Sequence, residues 1–321
     1  MPSITFGEST FDTQDDETVL DALLRNGHEI ANGCRAGVCQ SCLLIAKEVA
    51  LPANATSGLS DSQKAIGAFK SCCVVPSTDI EVQSADGAIE SHKATIVEKT
   101  SLNDAVIRVR LQSDVNYRAG QYVSLQNDAK LMRSYSIASV SGTDKYLEFH
   151  IRRYPNGQFS NWIYSAASIG SELILQGPSG TCFYTPTDAP SNLLMLASGT
   201  GLAPMHGIIR DALLQQHQGN IHLIIAAKTS DDFYYVDELK TLSDENSNFS
   251  FERVALQSTD ADIKQADIYE HIRSDYTQLK GYRVYICGGE NFVKKLKKQC
   301  FLAGANMQDI FSDSFLSFTP N

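Results

Sequence analysis

The placement of its cysteines constrains this chain more than any other feature. Five of the eight, Cys34, Cys39, Cys42, Cys72 and Cys73, fall in the first 73 residues. Three of them share the run CRAGVCQSC with the spacing C-x4-C-x2-C, and 29 residues then separate Cys42 from Cys72 in FKSCCVVP. Ligands so close together demand a tight loop, and a distant thiol must return to close it. The opening MPSITFGEST has no basic segment followed by an apolar one, so no secretory signal is expected and the expected location is the cytoplasm. In a reducing compartment such a cluster reads as metal-binding rather than disulfide-forming. The isolated Cys182 and Cys300 read as small apolar packers.

Zinc knuckles pair cysteines at short spacing twice over, and the second half of this set lacks that pattern. C-x4-C-x2-C…C is the ligand spacing of a [2Fe–2S] cluster. Gly33 and Gly37 would let backbone amides approach the sulfurs. Zinc binding and purely structural thiols remain the alternatives at this point.

A length of 321 residues implies two or three domains. Residues 3–13 read as two strands joined at Gly7-Glu8, and apolar residues at 19, 20, 23 and 24 predict a helix closed by Gly27. DIEVQSAD reads as a further strand, which completes a domain at 1–87, and SADGAIESHK suits a linker. Residues 93–187 hold close-spaced β-rich runs, from ATIVEKT to ELILQG, with one helical stretch at SNWIYSAAS, predicting a small antiparallel barrel. Residues 190–321 alternate apolar strands (NLLMLA, IHLIIAA, FSFERVAL, RVYICG) with helices, predicting a parallel sheet covered on both faces. No apolar run is long enough to span a bilayer.

Net charge is −10, and residues 1–87 carry 12 acidic against five basic side chains. That balance excludes nucleic acid as a partner. It suits docking to a basic protein patch, or simple solubility.

Several short motifs carry chemistry. In RSYS, Arg133 can fork onto a pyrophosphate, Tyr135 can lie on a flat ring and Ser136 can hydrogen-bond it. In PNGQFSNW, Gly157 and Ser160 lead into a helix whose free N–H groups attract phosphate, although Ser160 also suits an N-cap. GPSGTCFY follows at 177–184. In LASGTGLAP, Gly199, Thr200 and Gly201 form a tight turn and Pro204 suits a helix start. In YICGGENF, Cys287 ends a strand before Gly288 and Gly289.

CRAGVCQSC resembles the loop of plant-type ferredoxins, and CCVVPSTDIEV resembles the closing segment of the ferredoxin domain in bacterial oxygenase reductases. On that pattern Cys34, Cys39, Cys42 and Cys72 are the ligands and Cys73 a neighbour; Gln40 departs from the glycine many oxygenase reductases carry. Arg-x-Tyr-Ser, Gly-x-x-Ser and Gly-Pro-x-Gly resemble the flavin domain of the ferredoxin–NADP reductase superfamily and imply FAD, bound by Arg133, Tyr135, Ser136, Gly157 and Ser160. Gly-x-Gly-x-x-Pro and Cys-Gly resemble that superfamily's nucleotide domain, with Gly199, Thr200, Gly201 and Cys287 serving the pyridine nucleotide; Gly289 departs from the family's Cys-Gly-Pro. The resemblance sets Ser136 and Cys287 nearest the chemistry and Phe315, in FSDSFLSF, beside the flavin. Asp231 and Asp232 favour the free ribose hydroxyl of NADH over the phosphate of NADPH, against Lys228.

The resemblance implies a multidomain α+β and α/β fold: a β-grasp ferredoxin domain, an antiparallel flavin barrel and a Rossmann-like parallel sheet. The implied function is an NADH-dependent iron–sulfur flavoprotein reductase, acting as a monomer on a terminal oxygenase or hydroxylase. A dehydratase of deoxysugar synthesis is the alternative acceptor, and a redox-responsive regulator without turnover the alternative class.

Overall fold

The structure, a computed structural model, describes residues 1–315 except 31, 33, 39, 47, 48, 60, 86–90 and 189. It divides into two compact units, residues 1–93, 123–134 and 172–179, and residues 94–122, 135–171 and 180–321.

The first unit begins with the hairpin β1 (Ser3–Phe6) and β2 (Ser9–Asp12), turned by Gly7 at φ +63°. Helix α1 (Val19–Arg25) starts at Thr18, whose hydroxyl accepts the Asp21 N–H, and buries Val19, Leu20, Ala22 and Leu23. Val19, Ala22 and Leu23 pack with Ile4, Leu44, Phe69, Ile80 and Val82. Then come β3 (Leu43–Ala46), α2 (Ala53–Thr56), α3 (Asp61–Ala65), β4 (Ala68–Lys70) and β5 (Ile80–Ser84). The sheet order is β2-β1-β5-β3-β4, with β1 and β5 parallel, a β-grasp arrangement. Helices α2 and α3 escape a sequence reading because a single turn shows no periodic stripe.

The flavin-domain strands are β6 (Ser91–Ser101), β7 (Val106–Gln112), β8 (Tyr122–Gln126), β9 (Met132–Ser136), β10 (Leu147–Arg152) and, after helix α4 (Gln158–Ser165), β11 (Glu172–Ser179). Within the second unit β10, β7 and β6 run adjacent and antiparallel. Strands β11, β8 and β9, apart from the ends of β8 and β9, belong to the first unit. The expected linker is shorter than read, since Ser91, His92 and Lys93 already belong to β6; residues 86–90 lie outside the described residues.

The rest of the second unit is β12 (Leu193–Ser198), α5 (Leu202–Leu214), β13 (Ile221–Thr229), α6 (Val236–Glu245), β14 (Phe249–Gln257), β15 (Lys264–Gln265), α7 (Ile268–Asp275), β16 (Arg283–Gly289), α8 (Glu290–Leu302) and β17 (Ile310–Phe315). All six strands are parallel, in the order β15-β14-β13-β12-β16-β17. Successive strand side chains face opposite ways. Leu193, Met195 and Ala197 therefore pack with Met205, Ile208 and Leu239 of α5 and α6, while Leu194 and Leu196 pack with Ile272 and Leu296 of α7 and α8. The chain leaves β12 towards β13 on one side and reaches β16 on the other. The crevice beyond the carboxyl ends of β12 and β16 is thus a topological switch point, where such sheets bind ligands.

Candidate active site

Gly199, Thr200 and Gly201 form a single 3-10 turn at the end of β12 and lead directly into α5. Gly199 is left-handed at φ +54°. A Cβ at Gly201 would lie 2.1 Å from the Cys287 carbonyl oxygen, and one at Gly288 would lie 2.2 Å from Ser198 Oγ. The two glycine motifs are thus packed backbone against backbone across neighbouring strand ends. No side chain caps α5; its first amide, that of Leu202, bonds back to the Gly199 and Thr200 carbonyls, so the glycine turn itself forms the helix start at this switch point. Pro204 stands in the first turn rather than at its first residue.

Cys287 is fully buried, and its Sγ lies 3.8 Å from that of Cys182. Burial first, and then Cys182, raise its thiol well above the ordinary value, so it stays protonated. Strand β17 runs beside it, with Asp313 opposite Cys287 and Phe315 opposite Gly289. Ser136 Oγ donates to Asp313 Oδ2 at 2.6 Å, and both residues are buried. Burial pushes the Asp313 carboxyl up to about 6 against the opposing pull of the Ser136 hydrogen bond. Ser136, Asp313 and Cys287 therefore converge, although they are far apart in sequence. Asp313 was not singled out by sequence; an acid midway between the two phenylalanines of FSDSF was the available signal.

Tyr135 is half-buried, its ring 5.7 Å from that of Phe159 on α4. Gly157, not Ser160, is the N-cap of α4, with no side-chain cap bond. The Ser160 hydroxyl accepts the Tyr154 N–H at 3.3 Å and donates to the Gly157 carbonyl at 3.1 Å, closing the turn that presents the helix end. A Cβ at Gly157 would lie 2.4 Å from that hydroxyl. Arg133, in the first unit, donates to the Met132 carbonyl at 2.7 Å and is half-buried. A half-exposed ring, a buried hydroxyl and a helix end capped only by glycine fit a flavin with its phosphates.

In the first unit, left-handed Arg35, Gly37 and Gln40 bend the cysteine loop. The Ala36 and Val38 N–H groups both reach Cys34 Sγ at 3.4 Å. Ser71 donates through its N–H and its hydroxyl to the Cys42 carbonyl, at 3.1 and 2.8 Å, which brings the closing segment back. The Cys72 thiol hydrogen-bonds the Cys42 sulfur, lowering Cys42 to about 7 and raising Cys72. Cys73 Sγ lies 3.8 Å from that of Cys72 and would be 2.4 Å from a Cβ on Gly37, and the residue packs against the α1 core. Lys70, 2% exposed, braces the loop through Nζ to the Gly37 and Ser57 carbonyls at 2.6 and 2.8 Å. Cys39 lies outside the described residues, and among those described no three His, Cys, Asp or Glu side chains converge closely enough to hold a metal ion. The all-thiol donor set, with amides aimed at sulfur, fits an iron–sulfur cluster.

Three family models match the chain in succession: a 2Fe-2S iron-sulfur cluster binding domain over residues 5–77, an oxidoreductase FAD-binding domain over 93–184 and an oxidoreductase NAD-binding domain over 195–298. The chain is similar to the reductase subunit of an aromatic O-demethylase from an Amycolatopsis species, at 28% identity over 89% of this chain and 90% of that protein. It is equally similar to the CDP-6-deoxy-L-threo-D-glycero-4-hexulose-3-dehydrase reductase of Yersinia pseudotuberculosis, 28% identical over 95% of both. Among solved structures it resembles the Amycolatopsis cytochrome P450 reductase GcoB, with a TM-score of 0.70 and 26% identity over 98% of this chain and 99% of that one. A thiol-ligand domain joined to a flavin barrel and a parallel nucleotide sheet defines an oxidoreductase that carries electrons between a pyridine nucleotide and one-electron centres. The chain thus joins a 2Fe-2S domain, an FAD-binding domain and an NAD-binding domain, the three-domain plan of iron–sulfur flavoprotein reductases, and its relatives include reductase components of oxygenase systems. Among the described residues no helix is long and apolar enough to cross a membrane.

Proposed function

We propose that this reductase oxidises NADH and delivers electrons singly to a separate terminal oxygenase or hydroxylase, as a cytoplasmic monomer. The observation that carries the nucleotide-oxidising half is the convergence of Ser136, Asp313 and Cys287 with the Gly199–Gly201 turn at one switch point. When bound, FAD takes two electrons as a hydride and releases them one at a time, and the cluster carries one.

The chain's own groups bind, orient and shield. The glycine turn at 199–201, which opens α5, holds the pyrophosphate of NADH. Cys287, neutral and buried, presents an uncharged wall that excludes water beside the nicotinamide. Ser136 is oriented by Asp313 towards the flavin ring, and Asp313 holds its proton below about pH 6. Tyr135 and Phe315 cover the ring, the Gly157 end of α4 meets the FAD phosphates with Ser160 shaping that turn, and Arg133 is a further FAD-binding residue. Cys34, Cys39, Cys42 and Cys72 hold the cluster. The corresponding domain limits are 1–87, 93–187 and 190–321.

NADH is preferred over NADPH because exposed Asp231 would repel a ribose phosphate, while Asp232 is paired with Arg152 at 3.1 Å. The 28% identity to a dehydrase reductase over 95% of the chain supports the second reading, a dehydratase as acceptor. Steady turnover with ferricyanide as acceptor, compared between NADH and NADPH, tests the enzyme and its nucleotide together. Turnover faster with NADPH overturns the preference, and no turnover with either favours a regulator.

A further inference from the structure

The loop Thr229–Tyr235 joins β13 to α6 at the carboxyl edge of the parallel sheet. Three of its residues are tied to strands of the flavin barrel. Tyr235 OH donates to Glu148 Oε1 at 2.7 Å, and Arg108 Nη1 donates to Tyr235 OH at 3.4 Å. Tyr234 OH meets His150 Nδ1 at 3.1 Å. Arg152 Nη2 pairs with Asp232 Oδ1 at 3.1 Å, and Asn103 Nδ2 donates to the Asp232 carbonyl at 3.4 Å.

These barrel partners are no accident of proximity. Glu148, His150 and Arg152 alternate along β10, and alternate strand residues share one face. Across from them on β7, Arg110 and Arg108 stand in register with Glu148 and His150. Glu148 also accepts from Arg110 at 2.8 Å and contacts His150 Nε2 at 3.1 Å. Burial raises the Glu148 carboxyl, but His150, Tyr235 and Arg110 outweigh it and hold the group below the usual carboxylate range. The result is a charged, hydrogen-bonded barrel face that ends on two tyrosines of the nucleotide domain.

Tyr235 itself adopts φ +63°. For a bulky aromatic residue that conformation is a genuine outlier, and such strain persists only where the surroundings enforce it. The edge of the His206 ring on α5 meets Tyr235 at 5.0 Å and 90°. Helix α5 is separately locked to the barrel, with Arg210 bound to both oxygens of Asp144 at 2.7 and 2.8 Å. A Cβ at Gly207 would lie 2.9 Å from the Ala138 carbonyl oxygen. The nucleotide sheet is thus held to the barrel at two neighbouring places, by α5 and by the 229–235 loop.

We propose that Tyr235 is a positioning residue for hydride transfer. Its bond to Glu148, seconded by Tyr234–His150 and Asp232–Arg152, fixes the spacing between the nucleotide sheet and the flavin barrel, and so the approach of nicotinamide to flavin. This rests on the reductase reading above. It is a claim about distance rather than binding, because small misplacements of reacting atoms lower rates steeply.

The test uses the full chain with its FAD and cluster. Flavin reduction is followed by rapid mixing over a range of NADH concentrations in wild type, Tyr235→Phe and Asp232→Asn. FAD content, flavin midpoint potential and melting temperature are measured on the same samples. The expected result is a fall of roughly tenfold in the saturating rate for Tyr235→Phe, with FAD content and potential unchanged. Asp232→Asn is expected to fall in the same direction, and it carries the test if Tyr235→Phe does not fold. A variant that reduces flavin at the wild-type rate overturns the proposal. So does a rate loss that only follows lost FAD or lost stability. If NADH and NADPH both fail to reduce wild type, the reductase reading falls first and this proposal with it.

Discussion

Ser136 Oγ donates a 2.6 Å hydrogen bond to Asp313 Oδ2 inside the second unit, joining the end of the barrel strand RSYS to the last described strand. Burial raises Asp313 to about 6, whereas an unfolded aspartate titrates near 3.9. The folded state therefore binds this proton more tightly. Its contribution to stability is fully present below about pH 4 and is lost as pH rises through about 6. The difference in unfolding free energy between wild type and Asp313→Asn, followed by urea melts from pH 4 to 8, should move by about 2–3 kcal/mol across that window. A pH-independent difference would show that Asp313 is ionised throughout.

Gly201 has no room for a side chain. Gly201→Ala would place a methyl 2.1 Å from the Cys287 carbonyl oxygen, a backbone atom that cannot swing away. The turn must shift, at a cost of about 1–3 kcal/mol in stability. Flavin reduction by NADH should fall at least tenfold while flavin and cluster absorption persist, as stopped-flow spectra would show.

Adjacent cysteines should behave differently. Their sulfurs lie 3.8 Å apart, but Cys72 reaches Cys42, while Cys73 also packs against the α1 core. Cys72→Ser should lose most of the cluster iron, and Cys73→Ser should keep it, by iron analysis and visible absorption. The opposite pattern would exchange their roles.

Lys70 is a buried cation whose ammonium is held by two carbonyls and the Ser57 hydroxyl. Lys70→Met keeps the stem but leaves those acceptors unpaired, at a cost of about 1–3 kcal/mol. The first unit should melt earlier, and the cluster should be lost faster to a chelator.

Much of this was legible because the motifs are local. The alternation of apolar strands with helices over 190–321 is what the chain adopts, with α6 at Val236–Glu245 between β13 and β14. Likewise C-x4-C-x2-C and Gly-x-Gly-x-x-Pro keep their ligands or amides within one turn of chain. What escaped was non-local. Asp313 matters because β17 lies beside β16, and Glu148 matters because β10 meets a loop 87 residues on. Neither pairing leaves a period or a spacing to read. Ser160 shows a third limit: its hydroxyl has local partners on both sides, and only coordinates show that Gly157 is the cap.

The central claim is that one chain takes electrons from NADH and brings them to its own cluster. Anaerobic mixing of the purified protein with one equivalent of NADH, followed across the visible spectrum, tests it most directly. The account predicts flavin and [2Fe–2S] absorption before mixing, then bleaching of the flavin followed by the cluster. Flavin that bleaches while the cluster stays oxidised, or a protein without iron, would contradict it.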